Sequence, residues 1–157
     1  MPSAWRITKT RHATSAFDGE GARLYGSRWS TPGTRMAFAS ESLSLAMLEI
    51  LVHLQNSSPL ASYVVFTVEF SEDLVQALDL HLLPKNWRSF PAPPETRVIG
   101  DHWIKSNSSV LLRVPSTIVA HEHNFLINPM HHDFPKLMIH GPEPLDVDAR
   151  IFGPGAG

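Results

Sequence analysis

Cysteine is absent from this chain. That excludes disulfides, a thiolate nucleophile and any zinc site built on cysteine, and it suits a reducing compartment. Long apolar runs are absent too. No stretch approaches the roughly 18 residues of a membrane span. The opening Met1-Pro2-Ser3-Ala4-Trp5-Arg6 has neither the charged start nor the apolar stretch of a secretory signal. A soluble cytoplasmic protein without membrane attachment is therefore expected. Charge of one sign is scarce: 13 basic and 15 acidic residues leave a net charge of -2. The Lys and Arg residues are scattered, so direct binding of nucleic acid is not expected. The glycine fingerprints G-x-G-x-x-G and G-x-x-x-x-G-K-[ST] are missing, as are a G-x-S-x-G elbow and H-E-x-x-H.

What is present is enough for one folded domain. The 157 residues, 43% of them hydrophobic, can bury a core. The 13 Pro and 9 Gly predict many turns. Residues 5–8 read as a short edge strand and 11–35, rich in Gly, Ser, Thr and Arg, as mostly loop. A short buried strand is expected at 36–39. A helix capped by Ser40 or Ser42 then runs to about Gln55, ending at Asn56-Ser57-Ser58-Pro59. The clearest strand is 63–70, with Val64, Phe66, Val68 and Phe70 on one face. Residues 72–77 suggest a helical turn and 83–94 a proline-punctuated connector. A second helix is expected over 96–106, and strands over 110–114, 118–120 and 136–139, with 125–128 leading into Pro129. No internal repeat or linker divides the chain. The domain is expected over 1–152, with 153–157 a disordered tail.

Glu49 stands out. It lies within Ser44-Leu45-Ala46-Met47-Leu48-Glu49-Ile50-Leu51-Val52-His53-Leu54, whose apolar residues cover nearly the whole circumference and predict a largely buried helix. A buried carboxylate is costly unless it is paired or used. His53, four residues on, shares its face. The pair is either a functional site or a structural contact. In Gly26-Ser27-Arg28-Trp29, small residues let a ligand approach the backbone. Arg28 can grip a phosphate or carboxylate, and Trp29 can wall a pocket. The structural alternative pairs Arg28 with Glu20 or Glu41 and puts Trp29 in the core. Ser116, after Pro115, is either a ligand contact or a turn serine bonded to local backbone. His121-Glu122-His123 and His131-His132-Asp133 invite a metal, but no metal is expected.

These landmarks in order resemble the RES-domain family, toxins of Res–Xre toxin–antitoxin pairs. The resemblance runs through Trp5-Arg6-Ile7, Gly19-Glu20-Gly21-Ala22-Arg23, Gly26-Ser27-Arg28-Trp29 and Ala39-Ser40-Glu41-Ser42-Leu43. It continues through Leu48-Glu49-Ile50-Leu51-Val52-His53, Gly100-Asp101-His102-Trp103, Leu112-Arg113-Val114-Pro115-Ser116, Asn128-Pro129 with His131, and Asp148-Ala149-Arg150-Ile151-Phe152. It implies a bacterial source and an α+β fold in a single compact domain. That fold resembles the ADP-ribosyltransferases, with a mixed β-sheet core, flanking helices and an NAD cleft. It implies cleavage of NAD+ as substrate at the nicotinamide–ribose bond, with water, phosphate or a protein as acceptor. The positions carried over are Arg28, Phe38, Glu49, His53 and Ser116. Arg28, Glu49 and His53 would be catalytic. Arg28, Phe38, Ser116 and Trp29 would contact substrate. The family usually has Tyr where Phe38 stands, so stacking survives and a hydroxyl is lost. The partner implied is an Xre-family antitoxin, and a homodimer is plausible. Two alternatives are an ADP-ribosyltransferase acting on a particular protein and a non-catalytic module that binds NAD or antitoxin.

Overall fold

A computed structural model describes residues 1–53 and 62–152. The expected helix end near Gln55, the turn after it and the tail 153–157 lie outside the described residues.

Strands β1 (Ser3–Lys9), β2 (Ala37–Ser40), β3 (Tyr63–Glu69), β4 (Val75–Ala77), β5 (Leu111–Pro115), β6 (His123–Ile127) and β7 (Met138–Pro144) form one sheet in the order β4-β5-β6-β2-β1-β3-β7. Every pairing is antiparallel except β4 with β5. The sheet is therefore mixed, as expected. Three α-helices among the described residues accompany it: α1 (Glu20–Tyr25), α2 (Leu43–Leu51) and α3 (Pro94–Ser106). None among the described residues is long and apolar enough to cross a membrane.

Several expectations are corrected. Residues 5–8 are not at an edge: β1 lies between β2 and β3 and pairs with β3 along its whole length. Arg6 is a half-buried cation on the sheet face that also carries Ala4 and Phe66. Arg6 Nε donates to Ala16 O at 2.6 Å and Nη1 to Phe38 O at 3.0 Å. Burial lowers its pKa to about 10, against the opposing charge of Asp18, so it stays protonated at neutral pH. The loop segment holds a 3-10 helix, Thr10–Ser15, and α1. Residues 118–120 form a turn, not a strand. The turn at Glu72–Leu74 leads straight into β4.

Side chains alternate across a strand, and the two faces of the sheet carry different cores. One face packs Ala4, Ala37, Ala39, Val68, Phe70, Leu111, Phe125 and Ile127, with Val64 and Phe66 against Ala16. Phe70 meets Phe125 edge-on at 5.3 Å. On the other face α2 lays Met47 and Ile50 against Ile7 and Tyr63. Further along, α3 lays Trp103 against Leu112, Val114 and Leu126, together with Trp29 and Met36. The register pairs Phe38 with Leu126 and Ser40 with Asn124, and Leu112 with Leu126 and Val114 with Asn124. Ser40 and Asn124 thus lie on the α2 and α3 face, between the two helix-covered regions.

Helix α2 is less buried than its composition predicts. Leu45, Ala46 and Met47 are buried, while Leu48 and Val52 stand 40% and 59% exposed. Ser42 caps it, its hydroxyl accepting from Leu45 N at 3.1 Å. Starting a helix directly after β2 carries Glu49 back over the same sheet face, two turns from the cap.

Candidate functional site

Glu49 is half-buried, and one of its oxygens is doubly engaged. Oε1 accepts from Ser116 Oγ at 3.0 Å and from Asn124 Nδ2 at 2.7 Å. Oε2 makes no hydrogen bond to a described residue. Ser116 is 1% exposed and holds the turn after β5. Its oxygen accepts from Ile118 N at 3.1 Å and Val119 N at 3.2 Å while its proton goes to Glu49. The two readings of Ser116 are both realised: a local turn serine and a contact to the carboxylate. Asn124 is fixed in turn by Ser40 Oγ, which donates to its Oδ1 at 2.7 Å.

His53 does not join this group. It is exposed, its backbone N–H closes a turn onto Ile50 O at 3.0 Å, and no hydrogen bond or ion pair links it to Glu49. The helix ends at Leu51, so the helical spacing that would stack residues 49 and 53 stops short.

Arg28 lies on the loop after α1. Gly26 turns the chain there with φ 72°, and its N–H closes α1 onto Ala22 O at 2.7 Å. A left-handed backbone of this kind suits glycine. The loop is fastened to α3. Thr96 Oγ1 donates to Arg28 O at 2.7 Å, and Arg97 Nε donates to Ser27 O at 3.2 Å. Thr31 N and Oγ1 donate to the Asp101 carboxylate at 3.1 and 2.6 Å. Gly100 lies so close to the Trp29 carbonyl that a Cβ would fall 1.6 Å from that oxygen.

The Arg28 side chain pairs with neither Glu20 nor Glu41. Glu20 serves Arg23 and Arg35, and Glu41 accepts from His123 N at 2.5 Å. Arg28 Nη1 instead donates to Trp87 O at 2.8 Å and Ser89 O at 2.9 Å. Burial lowers its pKa, the Glu49 charge raises it, and Arg97 lowers it. Arg28 therefore lies within the electrostatic reach of Glu49. Its Nε and Nη2 donate to no described residue. The proline-rich connector crosses this region, and its Arg88 forks onto Thr117 O at 3.0 and 2.8 Å, beside Ser116.

Phe38 is half-buried against the Trp29, Trp103 and Leu126 core. Trp29 is 5% exposed and belongs to that core. Of the two places the sequence allowed it, pocket wall or core, it takes the core.

The histidine clusters are otherwise occupied. His121 lies in the turn before β6 and is exposed, so it shares no strand face with His123. His123 Nδ1 lies 3.5 Å from Glu41. The ligand atoms of His131, His132 and Asp133 lie within 4.8 Å of one another. Yet His131 is buried, with Nδ1 accepting from Asp133 N at 2.9 Å and Nε2 against Asn107 O at 3.0 Å. Both nitrogens hold the fold, and Lys136 ties Asp133 and depresses its pKa.

Asn124 was not singled out in the sequence. The signal lay in His123-Asn124-Phe125-Leu126-Ile127, where an amide interrupts a run otherwise bound for a core strand.

A match to the RES domain spans residues 3–148. The chain belongs to the RES domain family. It is 44% identical over 130 residues to a protein of Yersinia enterocolitica named Toxin Res, covering 83% of this chain and 86% of that one. It is 37% identical over 150 residues to Toxin Res of Photorhabdus laumondii, with 94% and 95% covered. It is 36% identical over 137 residues to a Sphingobium protein named Prs ADP-ribosylating toxin, with 83% and 84% covered. The fold matches a chain from the crystal structure of the M. tuberculosis MbcT–MbcA toxin–antitoxin complex. The TM-score is 0.75 at 18% identity, covering 92% of this RES domain chain and 84% of that one.

Proposed function

We propose that this RES domain protein is the toxin of a toxin–antitoxin pair and that it cleaves the nicotinamide–ribose bond of NAD+. The observation that carries the reading is Glu49. Two neutral donors hold one of its oxygens, its other oxygen is unengaged by described residues, and the charge of Arg28 is nearby. Breaking the glycosidic bond builds positive charge on the ribose C1′ and ring oxygen, as in glycoside hydrolysis. An ionised carboxylate at that place stabilises the developing charge or holds a ribose hydroxyl. Nicotinamide departs as a neutral molecule, so no strong acid is needed. Arg28 faces the pyrophosphate through the donors its backbone partners leave open, and Phe38 offers an aromatic surface to the nicotinamide ring.

Water or phosphate then adds to C1′, which depletes NAD+. The second reading transfers ADP-ribose to a protein instead, and the name of the Sphingobium relative favours it. An Xre-type antitoxin is the proposed partner, supported by the relative solved in complex with an antitoxin.

The test is nicotinamide released from NAD+ by purified protein, with and without phosphate, beside Glu49→Gln. A glutamine can keep its oxygen toward Ser116 and Asn124, so the variant should stay folded while release falls by a large factor. Phosphate dependence names the acceptor, and label retained on protein from radiolabelled NAD+ identifies transfer. Undiminished turnover in Glu49→Gln would end the mechanism.

A further inference from the structure

We infer that Asn124 is a positioning residue for Glu49, selecting which carboxylate oxygen faces the substrate; this rests on the reading of Glu49 given above. The geometry is directional. A carboxylate only accepts, so the atom 2.7 Å from Glu49 Oε1 is the Asn124 amide nitrogen. Its oxygen then turns to Ser40, whose hydroxyl donates to Oδ1 at 2.7 Å. The acceptor-only carboxylate thus fixes which way the amide faces, the Ser40 hydroxyl completes the chain by donating to Oδ1, and the held amide fixes the rotation of the carboxylate. Ser116 donates to the same Oε1 at 3.0 Å. With both donors on one oxygen, Oε2 is left for the ligand.

The three residues come from parts of the fold that lock their spacing. Asn124 stands opposite Ser40 of β2 and Val114 of β5 in adjacent ladders. Its backbone is therefore held on both sides. The preceding residue is tied as well, since His123 N donates to the Glu41 carboxylate at 2.5 Å. An amide on a strand bonded along both edges loses little freedom when it binds Glu49, which is what precise positioning requires.

Asn124→Ala removes the donor toward Glu49 without adding a charge. Asn124→Asp keeps the volume and leaves Oδ1 to accept from Ser40, but sets a second carboxyl group against Glu49. The rate of nicotinamide release is measured across NAD+ concentrations for wild type, Asn124→Asp, Asn124→Ala, Glu49→Gln and the double variant Asn124→Ala with Glu49→Gln. Folding of each is followed by thermal unfolding. We expect kcat to fall about tenfold to a hundredfold in both single Asn124 variants with KM within about threefold, because the contact acts on the transition state through Glu49. In the Glu49→Gln background Asn124→Ala should lower the residual rate no further. Wild-type release that survives both substitutions with unchanged kcat overturns the inference and leaves the function standing. The same holds if the two losses multiply in the double variant. No release by the wild type removes the function and this inference together.

Discussion

Ser116 donates to Glu49 across 3.0 Å and links the turn after β5 to helix α2, while His53, four residues on from Glu49, makes no hydrogen bond or ion pair with it. The carboxylate is oriented across the fold and not along its own helix. Two substitutions separate these routes. Ser116→Ala removes a donor to Glu49 and an acceptor for two backbone N–H groups in a buried turn. Stability should fall by about 1–3 kcal/mol, and nicotinamide release should fall with it at temperatures where the protein is still folded. His53→Gln should cost less than about tenfold in kcat/KM and leave the melting temperature within error. Steady-state kinetics beside thermal unfolding read both, and a loss in His53→Gln as deep as in Glu49→Gln would return His53 to direct contact with substrate.

The resemblance to the RES domain family implies a tyrosine where this chain has Phe38. Its backbone is fixed, since its carbonyl accepts from half-buried Arg6 and its register partner is Leu126. Its ring packs only partly into the core. Adding a hydroxyl to a half-buried ring need not bury the polar atom, so Phe38→Tyr should fold normally. Nicotinamide release should be preserved or raised, since a donor is regained without loss of the aromatic surface. A clear drop in kcat, with unchanged thermal stability, would show that the apolar ring has its own task here.

Much of this was legible in the sequence, for physical reasons that vary with the element. The third strand is rich in β-branched and aromatic residues from Tyr63 to Val68, a local pattern that tertiary context had no reason to override. Glu49 was visible because a carboxylate in an apolar helix is costly. From its residues alone Ser116 was either a ligand contact or a turn serine, since a serine after a proline strand end looks like any turn. Its bond to Glu49 spans 67 positions, and no local rule predicts such a meeting. Asn124 was missed for the same reason. The first strand was misplaced to an edge because Arg6 reads as a solvent residue, whereas its charge is met by two backbone carbonyls and the face of Phe17, 5.7 Å away. Trp29 could be pocket wall or core by sequence, and only the contact with α3 decides.

That contact also supplies a test of how Arg28 is held. Gly100 sits in the middle of α3, where glycine is unfavourable by about 1 kcal/mol relative to alanine in an open helix. Propensity alone predicts that Gly100→Ala stabilises. The geometry predicts the reverse, because the new Cβ would lie 1.6 Å from Trp29 O and 2.7 Å from Trp29 C, both rigid backbone atoms. Helix and loop must separate, breaking the packing of Trp29 with Trp103 and straining the bonds from Thr96 and Arg97 to the Arg28 loop. The expected cost is about 3 kcal/mol or more, which for a chain of this length lowers the melting temperature by roughly 6–12 °C. Because Arg28 rides on that loop, KM for NAD+ should rise in whatever fraction remains folded, while Gly21→Ala, at an exposed helix position whose Cβ meets nothing within 4 Å, should leave KM unchanged and not lower the melting temperature. Thermal unfolding and NAD+ titration of the two variants side by side decide it, and a Gly100→Ala protein as stable as wild type would mean that α3 does not hold the Arg28 loop in this way.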